Sequence, residues 1–501
     1  MRPLTTLLIL AACLSSFGSQ GVAGDGGFAA GGPYAMPVGP HSLAVESQQP
    51  PRFVGPFVHS VTETTANIEW WASEALGYAL QWERGGEEAG SAVRYGHKAV
   101  SFSLTGLAPG VEYRLVIEPD KPVARAIEDG VWSEAVQSIA IAFATAEEAY
   151  EPRVYYVATD GDDTRSGLSR EDAWRTVIHA ADRARPGDTV IVGGGAYAES
   201  VRIRATGEES RPITFKAALG EKVVFDGLAR TLDHAFYAAD KHHLRFDGFY
   251  FVGFSHGSDS APWTLTNARR NNGSVMLYHC NDVRITRCFH DGRGPGYSPG
   301  LAFALHCADF RVRNCVVIAS MGGGLGIWWD SPRARVENNV FLRNLISHAG
   351  LHVWRHRVRE PEDHCHLDRN IFTDNLQSKL HVPLLGIADT ALARENCFYL
   401  RVPADERVWG RGGMDTVADF LEHSAQEWPG RENIAAVPMF RATMDMERAD
   451  EDGVPRYLGD ALISLRELDF PDLFATNPDL VERGIGLQPE AFEDFHFNVA
   501  E

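Results

Sequence analysis

Apolar and polar positions alternate with period two through most of this chain, and in its second half the alternation itself repeats. GSVMLY from 273, GLAFAL from 300, GLGIWW from 324, GLHVWR from 350 and KLHVPL from 379 superimpose, with successive copies 24 to 29 residues apart. The segments that follow them superimpose too: HCNDVRITRCF, HCADFRVRNCV, DSPRARVENNV and HCHLDRNIF, with ARENCF as a partial fifth copy. One copy cannot bury its own apolar face. Stacked copies share a continuous core, with neighbouring strands about 4.7–4.9 Å apart. The period therefore predicts a parallel β-solenoid over residues 153–400, in which equivalent positions of successive copies are physical neighbours.

Side chains alternate across a strand, so Leu301, Phe303 and Leu305, with Leu325, Ile327, Leu351 and Val353 as equivalents, are expected to point inward. The outward column at the strand end then reads His279, His306, Asp330, His356. One step back lie Trp328 and Trp354, and behind them His352 and His381, with Lys379 on the same face. Asn339, Asn370 and Asn396 extend the Cys288 and Cys315 positions as an internal ladder of structural character.

Upstream, residues 52–147 carry short alternating runs (TANIEWWAS, YALQWER, SFSLTGL, EYRLVIE) between turn residues, as an all-β sandwich requires. Trp70 and Trp71 are strand neighbours and face opposite sides, which puts one of them in the core. After residue 153 an amphipathic segment, WRTVIHAADRAR, precedes 188–192, the expected first strand of the solenoid. From 401 to 501 the repeat fades into a segment expected to cover the last coil, whose open sheet edge would otherwise be exposed.

Two resemblances give these elements names. Leu104-Thr-Gly-Leu107-Ala-Pro109-Gly-Val-Glu-Tyr113 resembles the fibronectin type III pattern, in which a Tyr follows a Leu-x-Pro turn. The helix-then-strand opening, the repeat and the tail of 150–501 resemble exported β-helix proteins of the polysaccharide lyase and glycoside hydrolase kind. The fold class this implies is all-β: a right-handed parallel β-helix preceded by a fibronectin type III-like β-sandwich.

Residues 1–24, with Arg2, a short apolar run and then small residues, read as a secretory signal too short to span a bilayer. Leu10-Ala11-Ala12-Cys13 also resembles the lipobox of bacterial lipoproteins, and 25–51, rich in Gly, Ser, Pro and Ala, reads as a flexible linker. A secreted or cell-envelope location in a bacterium follows as an expectation, with membrane contact only through a lipid anchor. The net charge of -20, from 47 basic and 67 acidic residues, argues against a broad footprint on nucleic acid. A monomer acting on a polysaccharide is expected.

Aromatic rings stack on sugar faces, while His and Lys exchange protons near neutral pH. In a lyase, Lys379, His352, His381 and His356 would supply the base and acid, and Arg355 or Arg357 would neutralise the uronate carboxylate. Trp328, Trp354, His306 and His279 would hold the glycan. A hydrolase needs two carboxylates, about 5–5.5 Å apart for retention or 6.5–9.5 Å for inversion. Asp330 is the first candidate, with Asp291 or Asp309 as its partner. A non-catalytic glycan binder is the third reading, and an epimerase would begin with the lyase's proton abstraction.

No cofactor is required by any motif. Calcium on Asp282, Asp309 and Asp330 would suit a lyase, and His364-Cys365-His366 or His352 with His356 would be the ligands of a zinc ion, although no recognised metal-site spacing appears. Cys280 and Cys307 are equivalent positions in adjacent copies, as are Cys288 and Cys315, so each pair forms either a disulfide or a stack of thiols.

Overall fold

Strands one sequence repeat apart pair in parallel throughout the second half of the chain, in three separate sheets. The computed structural model describes residues 51–125, 135–148, 150–227, 232, 234–254, 273–292, 300–318, 320, 323–342, 344, 351–354, 356–373, 376–377, 380–381, 384–385, 391–399, 417–441 and 469–495. Sheet A has nine strands, from Val154–Val157 and Thr189–Val192 to Ala391–Arg394. Sheet B has nine, from Gly195–Tyr197 to Ile434–Ala435. Sheet C has seven: Val201–Arg202, Phe236–Ala239, Gly273–Tyr278, Gly300–Leu305, Leu325–Trp328, Leu351–Trp354 and Leu384–Leu385. This is a parallel β-helix, and its first strand is Val154–Val157, one earlier than the segment 188–192 that the sequence pointed to.

Period-two alternation explains the interior. Phe246, Ile285, Val312 and Val336 from sheet A meet Phe251, Val317 and Phe341 from sheet B and Leu277, Ala304 and Ile327 from sheet C in one core. Each fully buried large side chain contributes about 1.5–3 kcal/mol. Phe303 and Leu305, expected inside, point outward instead. The register sets Ala302 beside Leu325 and Ala304 beside Ile327, which leaves Phe303 against Gly326. The Phe303 ring fills the space a side chain at Gly326 would need, so that a Cβ there would come within 2.4 Å of it.

At the turn from sheet A to sheet B the ladder of Asn339, Asn370 and Asn396 is present and continues to Asn433. Each side-chain oxygen accepts the backbone N–H of the preceding rung, at 3.1, 2.9 and 2.8 Å, and its amide donates to a strand carbonyl. Asn339 in turn accepts the Cys315 N–H at 2.8 Å, and the Cys315 sulfur accepts that of Cys288. Cys280, Cys288, Cys307, Cys315, Cys365 and Cys397 are all buried free thiols, so of the two arrangements open for the paired cysteines it is the thiol stack that is seen.

Helix α1 (Val177–Arg183) closes the start of the solenoid with Val177, Ala180 and Ala181 buried, and Thr176 caps it by accepting the His179 N–H. Helix α2 (Val417–Glu427) closes the far end, its Phe420 edge-on to Phe398. Residues 469–495 run along the outside of sheet B, reaching the strands of its last coil. Phe470, Leu473, Phe474, Leu480, Ile485, Leu487 and Phe492 pack there on Tyr250, Phe289, Val316, Val340 and Ile371.

The N-terminal β-domain is a six-stranded sheet, antiparallel except that Arg52–His59 pairs in parallel with Ala124–Arg125, around a core that includes Phe53, Ile68, Trp70, Tyr78, Phe102 and Leu115. Its longest strand, Ala66–Arg84, pairs first with Arg52–His59 and then with Glu112–Pro119, and bulges between Trp71 and Leu76 break the register. Trp70 lies in the core and Trp71 outside it. Residues 1–50, with the expected leader, Cys13 and most of the linker, lie outside the described residues. Among the described residues no helix is long and apolar enough to cross a membrane.

Candidate active site on the outer face of sheet C

The three outer faces differ in kind. That of sheet B is apolar and covered by residues 469–495. That of sheet A carries a column of charge, Arg245, Arg284, Arg311 and Arg335 in successive register. Sheet C carries a second apolar cluster on its outer side: Met276, Phe303, Leu305 and Trp328, all buried, edged by the partly exposed rings of Tyr237, Tyr278 and Trp329.

Beside this cluster, each coil turns from sheet C into sheet A through a residue with left-handed backbone. Asp240, His279, His306 and Trp329 have φ of 53, 50, 53 and 51°. Their N–H groups continue the ladder one step past the strand, to Tyr278 O, Leu305 O and Trp328 O for the first three. The side chains are stacked as a consequence. The imidazoles of His279 and His306 lie parallel, 4.7 Å apart at 1°, and His306 meets Trp329 at 5.7 Å. Tyr237 and Tyr278, in two columns of this face, are 6.1 Å apart, and His352 stands edge-on to Trp328 at 5.1 Å and 80°. Burial holds the Tyr278 phenol above its usual range and pushes that of Tyr237 up to about 12, so both keep their protons near neutral pH.

Asp330 does not stand in the histidine column. Ser331 takes the place of Cys307, accepting the Cys307 N–H at 3.0 Å, so Asp330 is an extra residue between Trp329 and the turn. It accepts the Arg357 N–H at 3.0 Å, is clasped by the Arg357 guanidinium and has Arg359 at 3.4 Å. The hydrogen bonds from Arg357 outweigh partial burial and hold its carboxyl below the usual range. Asp330 and Arg357, expected as a hydrolase's catalytic carboxylate and a lyase's charge partner for the uronate, therefore engage each other. Asp240, the carboxylate in the column itself, is likewise held by Arg94 at 2.8 Å and by the Ser103 N–H.

His356 is buried beneath this turn, its Nε2 2.8 Å from the Asp363 carbonyl oxygen, and burial lowers its pKa. It anchors a loop and does not face the ring cluster. Trp328 is almost fully buried under its neighbours, so it forms the floor of the face rather than a stacking surface. His381 does not continue the His352 position: Leu380–His381 pairs antiparallel with Leu376–Gln377, and Leu385 takes the place beside His352. Lys379 and Arg355, and the side chains of Trp354 and His381, lie outside the described residues. Tyr237, Tyr278, Trp329 and Arg202 were missed by the sequence reading. Counting forward from Trp328 as the equivalent of Leu305 would have found Trp329.

The residues offered to metals do not fit one. Asp282 is bonded to Arg245 at 2.5 Å and to His243 at 3.0 Å, Asp309 to Arg333 at 2.8 Å, and Asp330 to Arg357. Three carboxylates neutralised by guanidinium groups leave no anionic cage for calcium. Cys365 faces the core while His364 binds the Pro361 carbonyl, which separates that group as zinc ligands. Among the described residues no cluster of three His, Cys, Asp or Glu side chains is placed to hold a metal.

No family model matches this sequence. A stretch of 112 residues, 21% of this chain, is 31% identical to the uncharacterized protein YwoF of Bacillus subtilis (strain 168), of which it covers 23%. Among solved structures, pectate lyase Pel9A is matched over 62% of this chain and 90% of its own, at 12% identity and a TM-score of 0.31. A rhamnogalacturonan lyase is matched over 64% and 99%, at 11% identity and a TM-score of 0.30. A GH136 lacto-N-biosidase from Eubacterium ramulus is matched over 57% and 67%, at 13% and 0.25.

Proposed function

We propose that this protein is an exported enzyme that binds a uronate-bearing polysaccharide along the outer face of sheet C and cleaves it by β-elimination. The observation that carries this reading is the composition of that face. It offers imidazoles and protonated phenols among aromatic rings, while Asp240 and Asp330, its carboxylates among the described residues, are tied to arginines. Hydrolysis needs two carboxylates free to act. Elimination needs a base, an acid and positive charge.

The base takes the proton at C5 of the uronate, the C4–O bond breaks as the C4–C5 double bond forms, and the leaving oxygen takes a proton from the acid. His306, stacked on His279, suits the base. Tyr278, kept protonated by burial, suits the acid. Arg355 is the candidate for the uronate charge, and Lys379 and His352 are the alternative base and acid that the sequence offers. The leader-like residues 1–24 support export, with Cys13 as a lipid anchor point. The Ala108 N–H donated to the Tyr113 hydroxyl at 2.9 Å supports reading the β-domain as fibronectin type III-like.

The test is to incubate the full chain with polygalacturonate, alginate and neutral xylan, following both the ultraviolet absorbance of the unsaturated uronate and the reducing ends. Rising absorbance that is lost in His306→Ala supports the lyase. Reducing ends without absorbance would transfer the reading to a hydrolase, and retention of polymer with neither signal would leave a binder.

A further inference from the structure

The sheet of the β-domain that packs against the solenoid does not end at the contact. Residues 67, 69 and 71 share the outer face of strand Ala66–Arg84, opposite the core positions Ile68 and Trp70. On this face Ser103, cross-strand from Asn67, holds Asp240 of the solenoid, and Ser101, cross-strand from Glu69, accepts from Lys241 at 2.7 Å. Glu69 itself binds Arg202 of the first sheet C strand at 2.9 Å and Arg204 at 3.4 Å. Two residues further along, about 7 Å, the same face carries Trp71, 41% exposed. Val54 lies directly opposite it and Phe57 opposite Glu69, 40% and 56% exposed.

Through Glu69 this apolar patch is linked to the ring face of sheet C. Arg202 bridges them, with one side on Glu69 and its guanidinium 5.9 Å from the Tyr237 ring, which leads to Tyr278. Asp240, the anchor of the β-domain, is the residue before His279 in the left-handed column.

We infer that the β-domain supplies a subsite for the same glycan, with Trp71 and Phe57 as a stacking platform and Arg202 and Arg204 as donors to uronate carboxylates or hydroxyls. The inference rests on the polysaccharide reading and adds that the chain must be long enough to reach past the solenoid. The chemistry suits this ligand: flat rings match sugar faces, and Arg202 and Arg204, two guanidinium groups sharing the single carboxylate of Glu69, leave local positive charge on a protein whose net charge is -20. The patch sits at the surface and is not needed for the core, so it can be altered without unfolding the domain.

The experiment is affinity electrophoresis of the full chain in gels containing polygalacturonate, alginate or xylan, beside Trp71→Ala, Phe57→Ala and Trp71→Phe, with light scattering on each. Loss of one stacking ring is expected to weaken retention by a uronate polymer about threefold to tenfold, with short oligosaccharides of the same polymer unaffected and Trp71→Phe restoring retention. Retention of the wild type unchanged in Trp71→Ala would overturn the subsite and leave the polysaccharide reading standing. A wild type retained by none of the polymers would overturn both. A Trp71→Ala variant that alters oligomeric state in place of retention would make the patch a protein interface and overturn the subsite.

Discussion

The ammonium group of Lys241, on the solenoid, lies 2.7 Å from the hydroxyl of Ser101, on the β-domain, and is wholly enclosed. Burial lowers its pKa to about 8 from an ordinary 10.5, against the favourable charges of Asp240 and Glu69. Between these values the unfolded chain binds a proton that the folded chain has released, so stability rises with pH across that window. The midpoint of urea unfolding should increase from pH 8 to 10 in the wild type, by up to about 3 kcal/mol in free energy. Lys241→Met should flatten that rise. A slope unchanged in the variant would mean that Lys241 is hydrated in solution.

Glu69 carries the opposite dependence. Burial alone would raise its carboxyl, but the neighbouring His59, 3.6 Å away, and the charges of Arg202 and Lys241 bring it down to about 2 from 4.5. Its contribution is complete above pH 4.5 and is lost as the pH falls towards 2. Thermal denaturation between pH 5 and 2.5 should show Glu69→Gln losing on the order of 2–3 kcal/mol less than the wild type.

On sheet C, His306→Ala should reduce turnover by about 10²- to 10⁴-fold, the usual share of a general base. Asp330→Asn should change it by less than about threefold, because the carboxylate serves Arg357 and not the substrate. Steady-state rates on the polymer that responds in the elimination assay decide the matter. A collapse of activity in Asp330→Asn with His306→Ala still active would reverse the assignment.

In the asparagine ladder, Asn370 accepts two donors from Asn339 and gives two to Asn396 and Val336. Asn370→Ala leaves several of these groups buried without partners, at a cost of about 3 kcal/mol or more. Arg313→Ala, exposed two coils earlier, should stay within about 0.5 kcal/mol in the same denaturant titration.

The repeat was legible because stacking forces like residues into like places, and the asparagines and cysteines mark those places. The inward set failed at Phe303 and Leu305 for a physical reason: sheet C is apolar on both faces, so GLAFAL has no alternation by which to choose a side. The site was legible as an accumulation of rings and imidazoles on one strand column. Its individual members were not, since one extra residue before Ser331 moves Asp330 out of line, and a hairpin at Leu376–His381 displaces the last copy. Neither irregularity breaks the hydrophobic period that guided the alignment.

Stacked coils ordinarily touch only their neighbours, so a solenoid can fray from either end. Residues 469–495 remove that freedom here. Within 27 residues of chain they bond Tyr250 and Arg287 through Asp469 and Asp494, Asn314 through Gln488, and Asn338 and Arg369 through Gly486. No middle coil can open without releasing the strip that clasps the others, so the strip converts a series of weakly linked steps into a single transition. A strip late in the sequence thus latches coils formed by residues more than a hundred positions earlier.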